Sequence, residues 1–403
     1  MTSTIAWLDA SSEEQRRMRD IIRLFADRDS RDELGLGQVR DALGDILFPG
    51  SSTLHTRARY LLFIPWIYQE AAARNKKPGW ASAQERKLIS AIRSSEDSGG
   101  LLGSRAGQAL KTLPSSIYWA ALGTYGIRLD NTLTRELALE SSSSDRAAEP
   151  GEGGRFSIWS PTMPKAPESF PGEVPDGFAM THDEAAWLRE RMLTAAPDSL
   201  FAHLLEHPPD SSSKSAWLDS SALSATGNAR QWLDDAHRFS SVMHGAQLLY
   251  NLLLAELHRS EGYRDDDQYI DRYRDSLGKW QEGLAAIDLA EAGAVRQMLN
   301  RIHVDRDRPI HPRSTAFITA WYDIVRELGS GQVADSRGVR EFVRKREISH
   351  KGSLSRLKNP KRLQNWAGGS GAGALNYRWS YVQGTIGDIF DGLARGQSEV
   401  VNA

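Results

Sequence analysis

The chain of 403 residues has no cysteine. That excludes a disulfide framework, a thiol nucleophile and any thiolate-held metal or iron–sulfur cluster. Long apolar runs are also missing. The longest, Tyr60 to Tyr68, is broken by Pro65 and falls far short of the roughly 20 residues that span a bilayer. Met1 to Asp9 has neither a basic leader nor an apolar run, so no secretory signal is expected and the protein is placed in the cytoplasm, off the membrane. Neither sign of charge dominates, since the formal net charge is −2. No G-x-x-x-x-G-K-[ST] motif is present, which argues against intrinsic ATPase activity. Gly368 to Gly373 follows no strand pattern and is not a dinucleotide fingerprint, and no G-x-S-x-G elbow occurs. No cofactor is expected.

What remains is mostly helical patterning, with no strong strand pattern and no fixed-period repeat. Trp232, Ala236, Phe239, Met243, Ala246, Tyr250, Leu253 and Leu257 alternate steps of three and four and so lie on one stripe of a helix over 229–258. Tyr269, Tyr273, Leu277, Trp280, Leu284 and Ile287 repeat the pattern, and the two segments read as antiparallel neighbours in a bundle. Capping boxes at Ser12/Gln15 and Thr181/Glu184 start further helices. Ser104 to Leu113 is read as helix, and Ser141 to Ser144 as the start of a flexible linker. Six prolines between Pro150 and Pro175, with Phe156, Trp159, Phe170 and Phe178 among them, suggest an extended arm packed over a helical surface. The expectation is a mainly α protein with a helix-bundle core and a Pro/Ser-rich connecting arm. Its segments are an N-terminal helical domain (1–140), the arm (141–180), a helical bundle (181–330) and a basic, aromatic C-terminal segment (331–403).

Charge is concentrated near the C-terminus. From Arg337 to Arg362 there are ten Lys and Arg against two acids, Glu341 and Glu347. Trp366, Tyr377, Arg378, Trp379 and Tyr381 follow. A basic patch with aromatics beside it is the usual footprint of a nucleic-acid partner: cations neutralise phosphates and rings stack on unpaired bases. Arg340, Arg344, Lys345, Arg346, Lys351, Arg356, Lys358 and Arg378 are the candidate contacts. A second run, Arg57 to Arg93, holds eight Lys and Arg and two Glu. It adds Arg57 and Arg59, although cations near a helix C-terminus are favoured without any ligand. The plainer alternative for both runs is a solvated helix face with core tryptophans.

Two patterns suggest metals. His203-Leu204-Leu205-Glu206-His207 matches H-x-x-E-H, which sets two histidines on one helical face, with Glu256 as a possible third ligand. Pro208 and Pro209 follow at once and place the second histidine at a helix end. His303, Asp305, Asp307 and His311 have metal-type ligands at loop spacing, interleaved with arginines that supply ready ion-pair partners. The run Asp265-Asp266-Asp267 reads as a helix N-terminus.

Several strings carry a family resemblance. They are Trp7-Leu8-Asp9, Arg31-Asp32-Glu33-Leu34-Gly35-Leu36-Gly37, Leu47-Phe48-Pro49-Gly50 and Thr56-Arg57-Ala58-Arg59-Tyr60 near the N-terminus. Near the C-terminus they are Arg346-Glu347-Ile348-Ser349-His350-Lys351-Gly352, Ser355-Arg356-Leu357 and Tyr377-Arg378-Trp379. Together, over nearly the full chain, they resemble an uncharacterised bacterial family known as a domain of unknown function. The resemblance implies work near DNA, in anti-phage (antiviral) defence loci, beside separately encoded helicase and nuclease subunits; it supplies no catalytic residue. The expected function is therefore a non-catalytic, DNA-binding accessory protein. A metal-dependent hydrolase, either a nuclease or an H-x-x-E-H protease, and a protein–protein scaffold stand as alternatives.

Overall fold

The computed structural model describes residues 32–74, 78–144, 158–263, 266–287, 289, 293–306, 309–328 and 333–401. The Ser12/Gln15 helix, Trp7-Leu8-Asp9, Arg31, Phe156 and Asp265 lie outside these residues. Among the described residues there are fifteen α-helices and no strand. The chain divides into two compact units: the first contains the described residues to Ala42 and Asp235–Leu375, and the second contains Leu43–Asp234 and Asn376–Ala403. In chain order the helices are α1 (Gly37–Leu47), α2 (Tyr60–Ala73), α3 (Pro78–Arg93), α4 (Pro114–Thr124), α5 (Arg135–Ser144), α6 (His182–Ala195), α7 (Leu200–Glu206), α8 (Ser220–Leu223) and α9 (Gly227–Ser260). They continue as α10 (Asp267–Leu284), α11 (Ala294–Arg306), α12 (Pro312–Leu328), α13 (Arg337–Lys351), α14 (Pro360–Gln364) and α15 (Trp379–Val401).

The first unit is organised around α9. The three-four stripe predicts its inner face, and Phe239, Met243, Ala246, Tyr250 and Leu253 are all buried. α10 runs back along it. Trp280 Nε1 donates to Ser241 O (2.7 Å), Arg274 reaches Glu256 (3.3 Å), and Asp266 pairs with His258. The positions rise on one helix as they fall on the other, which is the expected antiparallel order. Gly245 makes the approach possible, because a Cβ there would overlap the Trp280 indole. On α12, Trp321 Nε1 donates to Val242 O (2.9 Å).

α9 also carries a polar stripe that the apolar pattern hides. Ser240 Oγ donates to Leu375 O (2.8 Å), His244 Nε2 to Ala372 O (3.0 Å), Gln247 Nε2 to Gly371 O (2.8 Å) and Asn251 Nδ2 to Ser370 O (2.9 Å). Ser370 N donates back to Asn251 Oδ1 (2.7 Å), and Tyr273 Oη donates to Gly368 O (2.7 Å). The glycine-rich segment lies as a strap on the helix, with these backbone carbonyls satisfied by side chains. Burial lowers the pKa of His244, which keeps its ring neutral.

In the second unit α2 buries every residue from Tyr60 to Tyr68. Its rings pack with the proline-rich arm: Phe63 stacks on Phe170 at 5.6 Å, Tyr60 meets Phe178 at 5.0 Å, and Trp66 Nε1 donates to Pro164 O (2.7 Å). The Thr181/Glu184 capping box forms as expected. α15 lies close along α6, where Gly392 faces Ala185 and Met180 and Gly396 faces His182.

Three local expectations differ. The Ser104–Leu113 stretch yields only a 3-10 turn at Gly107–Ala109, and the helix begins instead at Pro114, where proline suits the first turn. Ser141 to Ser144 continue α5 rather than starting a linker, so local context outweighs their weak helix propensity. His303 sits on α11, not in a loop.

His55 gives the second unit a pH dependence. Its ring stacks on Tyr118 at 4.2 Å, and burial lowers its pKa to about 4. A histidine whose folded pKa lies below its unfolded value stabilises the fold above pH ~6.5, and that stability is lost as pH falls toward 4. The loss expected from this residue is roughly 3 kcal/mol. Glu85, whose carboxyl burial pushes up, works in the opposite sense. Urea midpoints at pH 7 and pH 4.5, taken for wild type and His55→Phe, isolate the effect: the fall should be smaller in the variant. Equal falls would remove His55 as the source.

Candidate nucleic-acid interface

α13 starts at Ser336, whose Oγ accepts from Val339 N (3.5 Å), and ends at Gly352, whose φ of +55° suits glycine. Val339 and Val343 anchor its inner face, but Arg346, Glu347 and Lys351 are buried with them. Charges in that position need partners. Arg346 Nε donates to Leu34 O (2.8 Å), Nη1 to Arg313 O (3.0 Å) and Nη2 to Ser314 Oγ (3.0 Å), while its guanidinium covers the Phe317 ring. Burial lowers its pKa. Lys351 Nζ lies 3.3 Å from Glu33, and Arg356 Nη1 lies 2.6 Å from the same carboxylate. Glu347 accepts from Ser355 Oγ and from Arg356 N (2.7 Å), and burial pushes its carboxyl up. Here the Asp32–Gly37 string and the Arg346–Arg356 string meet. Arg340, further up α13, pairs with Glu256 and donates to Ala334 O (2.7 Å).

The candidates of the second unit are also engaged. Arg57 Nη2 reaches Asp97 (2.6 Å) and Nε reaches Asp388 (2.9 Å). The hydrogen bond from Arg57 holds Asp97 below the usual carboxylate range, whereas burial raises Asp388. Arg59 is 2% exposed; it pairs with Glu184 (2.9 Å) and donates to Gly177 O (2.8 Å). Arg378 pairs with Asp45 (2.6 Å) and donates to Ser51 O (2.8 Å).

Arg57, Arg59, Arg340, Arg346, Lys351, Arg356 and Arg378 thus act inside their own units, as partners of carboxylates and carbonyls rather than as solvent-facing contacts. Of the other three candidates, Lys345 and Lys358 are exposed and Arg344 is half-buried. Lys345 and Arg344 flank Glu341, each at 3.9 Å. Arg337, Lys361 and Arg362, in the same basic stretch but not among the ten candidates, are exposed as well. Asn359 accepts from the Lys361 and Arg362 backbone N–H groups and fixes the start of α14.

The expected stacking rings face inward. Trp366 lies against His258 and Tyr269, Trp379 donates to Ser213 O (3.0 Å), and Tyr377 packs against Trp217. All three are buried, so none offers a face to a base.

Among the described residues no group of three His, Asp or Glu is placed to hold a metal ion. His203 Nε2 lies 2.9 Å from Ser221 O and 3.1 Å from Ser224 Oγ. The carbonyl requires a proton on that nitrogen, so it cannot at the same time be an acceptor for a serine nucleophile. His207 stacks on His203 at 4.5 Å, with Nδ1 3.2 Å from the His203 carbonyl. Glu256, the expected third ligand, is held by Arg274 and Arg340. His311 Nδ1 instead accepts from Arg313 N (3.1 Å) at the start of α12. Asp307 lies outside the described residues.

The fold is all-α, and no described helix is long and apolar enough to cross a membrane. The chain belongs to a family of unknown function (DUF6361), whose family model matches residues 2–393. No curated protein and no solved structure matches it.

Proposed function

We propose that the protein binds nucleic acid without catalysis, as an accessory to separately encoded helicase or nuclease subunits in anti-phage defence. The contact face is the outer side of α13 together with the turn from Lys358 to Arg362. One observation carries this reading: Lys345, Lys358, Lys361 and Arg362 are exposed within 18 residues of chain, and Glu347, the one acid in that stretch, is buried. Lys358, Lys361 and Arg362 make no ion pair among the described residues. Such cations are available to phosphates, and each contact releases counterions. The accessory role rests on the family resemblance alone.

The test is a fourfold reversal, Lys345→Glu, Lys358→Glu, Lys361→Glu and Arg362→Glu. The side chains are exposed, so the thermal midpoint should stay close to wild type. Binding to labelled DNA at low salt should weaken at least tenfold, and the logarithmic salt dependence should flatten from a slope of roughly −3 or −4 toward zero. Unchanged retention at low salt rejects the assignment. If wild type never binds free DNA but keeps a protein partner after nuclease treatment, the scaffold reading replaces it.

A further inference from the structure

We infer that the nucleic acid is held by its phosphate backbone alone, as a duplex and without base recognition; this rests on the binding reading above. The sequence holds 12 Trp, 11 Tyr and 11 Phe. Yet among the described residues Tyr381, at 42%, is the one Trp, Tyr or Phe whose side chain is well exposed. Trp7, Phe25 and Phe156 lie outside those residues. Trp366, Tyr377 and Trp379, which follow the basic stretch, are each 3% exposed or less, and Phe342, within it, is half-buried and stacks on Phe317 at 5.2 Å.

Proteins that prefer single strands combine a basic track with rings on which bases stack. The described residues present several exposed cations and a single well-exposed ring. Nor does α13 offer exposed arginines to a groove at its inner positions: Arg340 and Arg346 are tied to Glu256, Ala334, Leu34, Arg313 and Ser314. What faces out is Arg337, Lys345, Lys358, Lys361 and Arg362, three lysines and two arginines on one stretch of chain. Toward phosphate lysine acts as a point charge, and contacts to phosphate carry no sequence information. A duplex offers about one phosphate per 1.7 Å of axis and a larger counterion release per contact than a single strand. A ring-poor cationic face therefore favours the duplex.

The experiment is a titration of the full chain, followed by fluorescence anisotropy at several salt concentrations. The probes are a mixed-sequence DNA duplex, either of its strands alone, a second duplex of unrelated sequence and a duplex RNA. Expected are duplex binding at least tenfold tighter than single-strand binding and affinities for the two DNA duplexes within about twofold. Tyr381→Ala should leave both unchanged. The RNA duplex arm separates a reader of generic phosphate spacing, which binds both, from one matched to the DNA helix. Single strands bound as tightly as duplex, a tenfold preference between the two duplexes, or a tenfold loss on Tyr381→Ala would overturn the inference while leaving nucleic-acid binding in place. Absence of binding to every probe overturns the underlying reading as well.

Discussion

Glu33→Ala should cost the first unit about 3–5 kcal/mol, the range for stripping one partner from a buried ion pair. Glu33 is 5% exposed and faces two cations, Lys351 at 3.3 Å and Arg356 at 2.6 Å. Without it, Lys351, itself 8% exposed, and Arg356 both lose the carboxylate they share. The positive charge left behind sits in a medium that solvates it poorly. A second variant separates this cause from simple loss of packing. Glu33→Leu combined with Lys351→Met and Arg356→Met removes the charges together, and such exchanges are often neutral or stabilising. Chemical denaturation of both is the measurement. A single variant within about 1 kcal/mol of wild type, or a triple variant no better than the single, would count against a buried electrostatic cluster.

Glu184→Ala should be comparably damaging in the second unit, at about 3–5 kcal/mol for the pair with about 1 kcal/mol more for the cap. One carboxylate oxygen takes Arg59 Nη2 at 2.9 Å; the other takes Thr181 N at 3.1 Å and closes the capping box of α6. Arg59 would keep Gly177 O and the face of Phe63 but no counter-charge. Glu184→Gln retains an acceptor and the shape while losing the charge, so its midpoint should fall between wild type and alanine. If glutamine and alanine are equally stable, the charge is not what matters.

Much of the helical frame is legible in the sequence because it rests on local spacing. The stripes of α9 and α10 and the Thr181/Glu184 box are set by neighbours three and four residues apart. Which cations face solvent is not legible there. Arg356 finds Glu33 across 323 positions, Arg346 finds Leu34 across 312, and Arg57 finds Asp388 across 331. A window slid along the chain sees the excess of Arg and Lys but not these distant partners. Composition marks consecutive segments, whereas each unit is closed by contacts between remote stretches. The polar stripe Ser240, His244, Gln247 and Asn251 does carry a local signal, steps of four, three and four along α9. It is masked by the stronger apolar stripe interleaved with it on the same helix.

The strap on α9 is gripped through main-chain oxygens, so its specification is metric rather than chemical. Gly368 and Gly371, at φ +96° and +58°, call for glycine, but at Ala372 and Gly373 a small residue keeps the carbonyls where they are, as long as the count is kept. One residue inserted between Ser370 and Leu375 would throw the four teeth of the helix out of mesh with the oxygens they grip. A fault of number there is graver than a fault of kind.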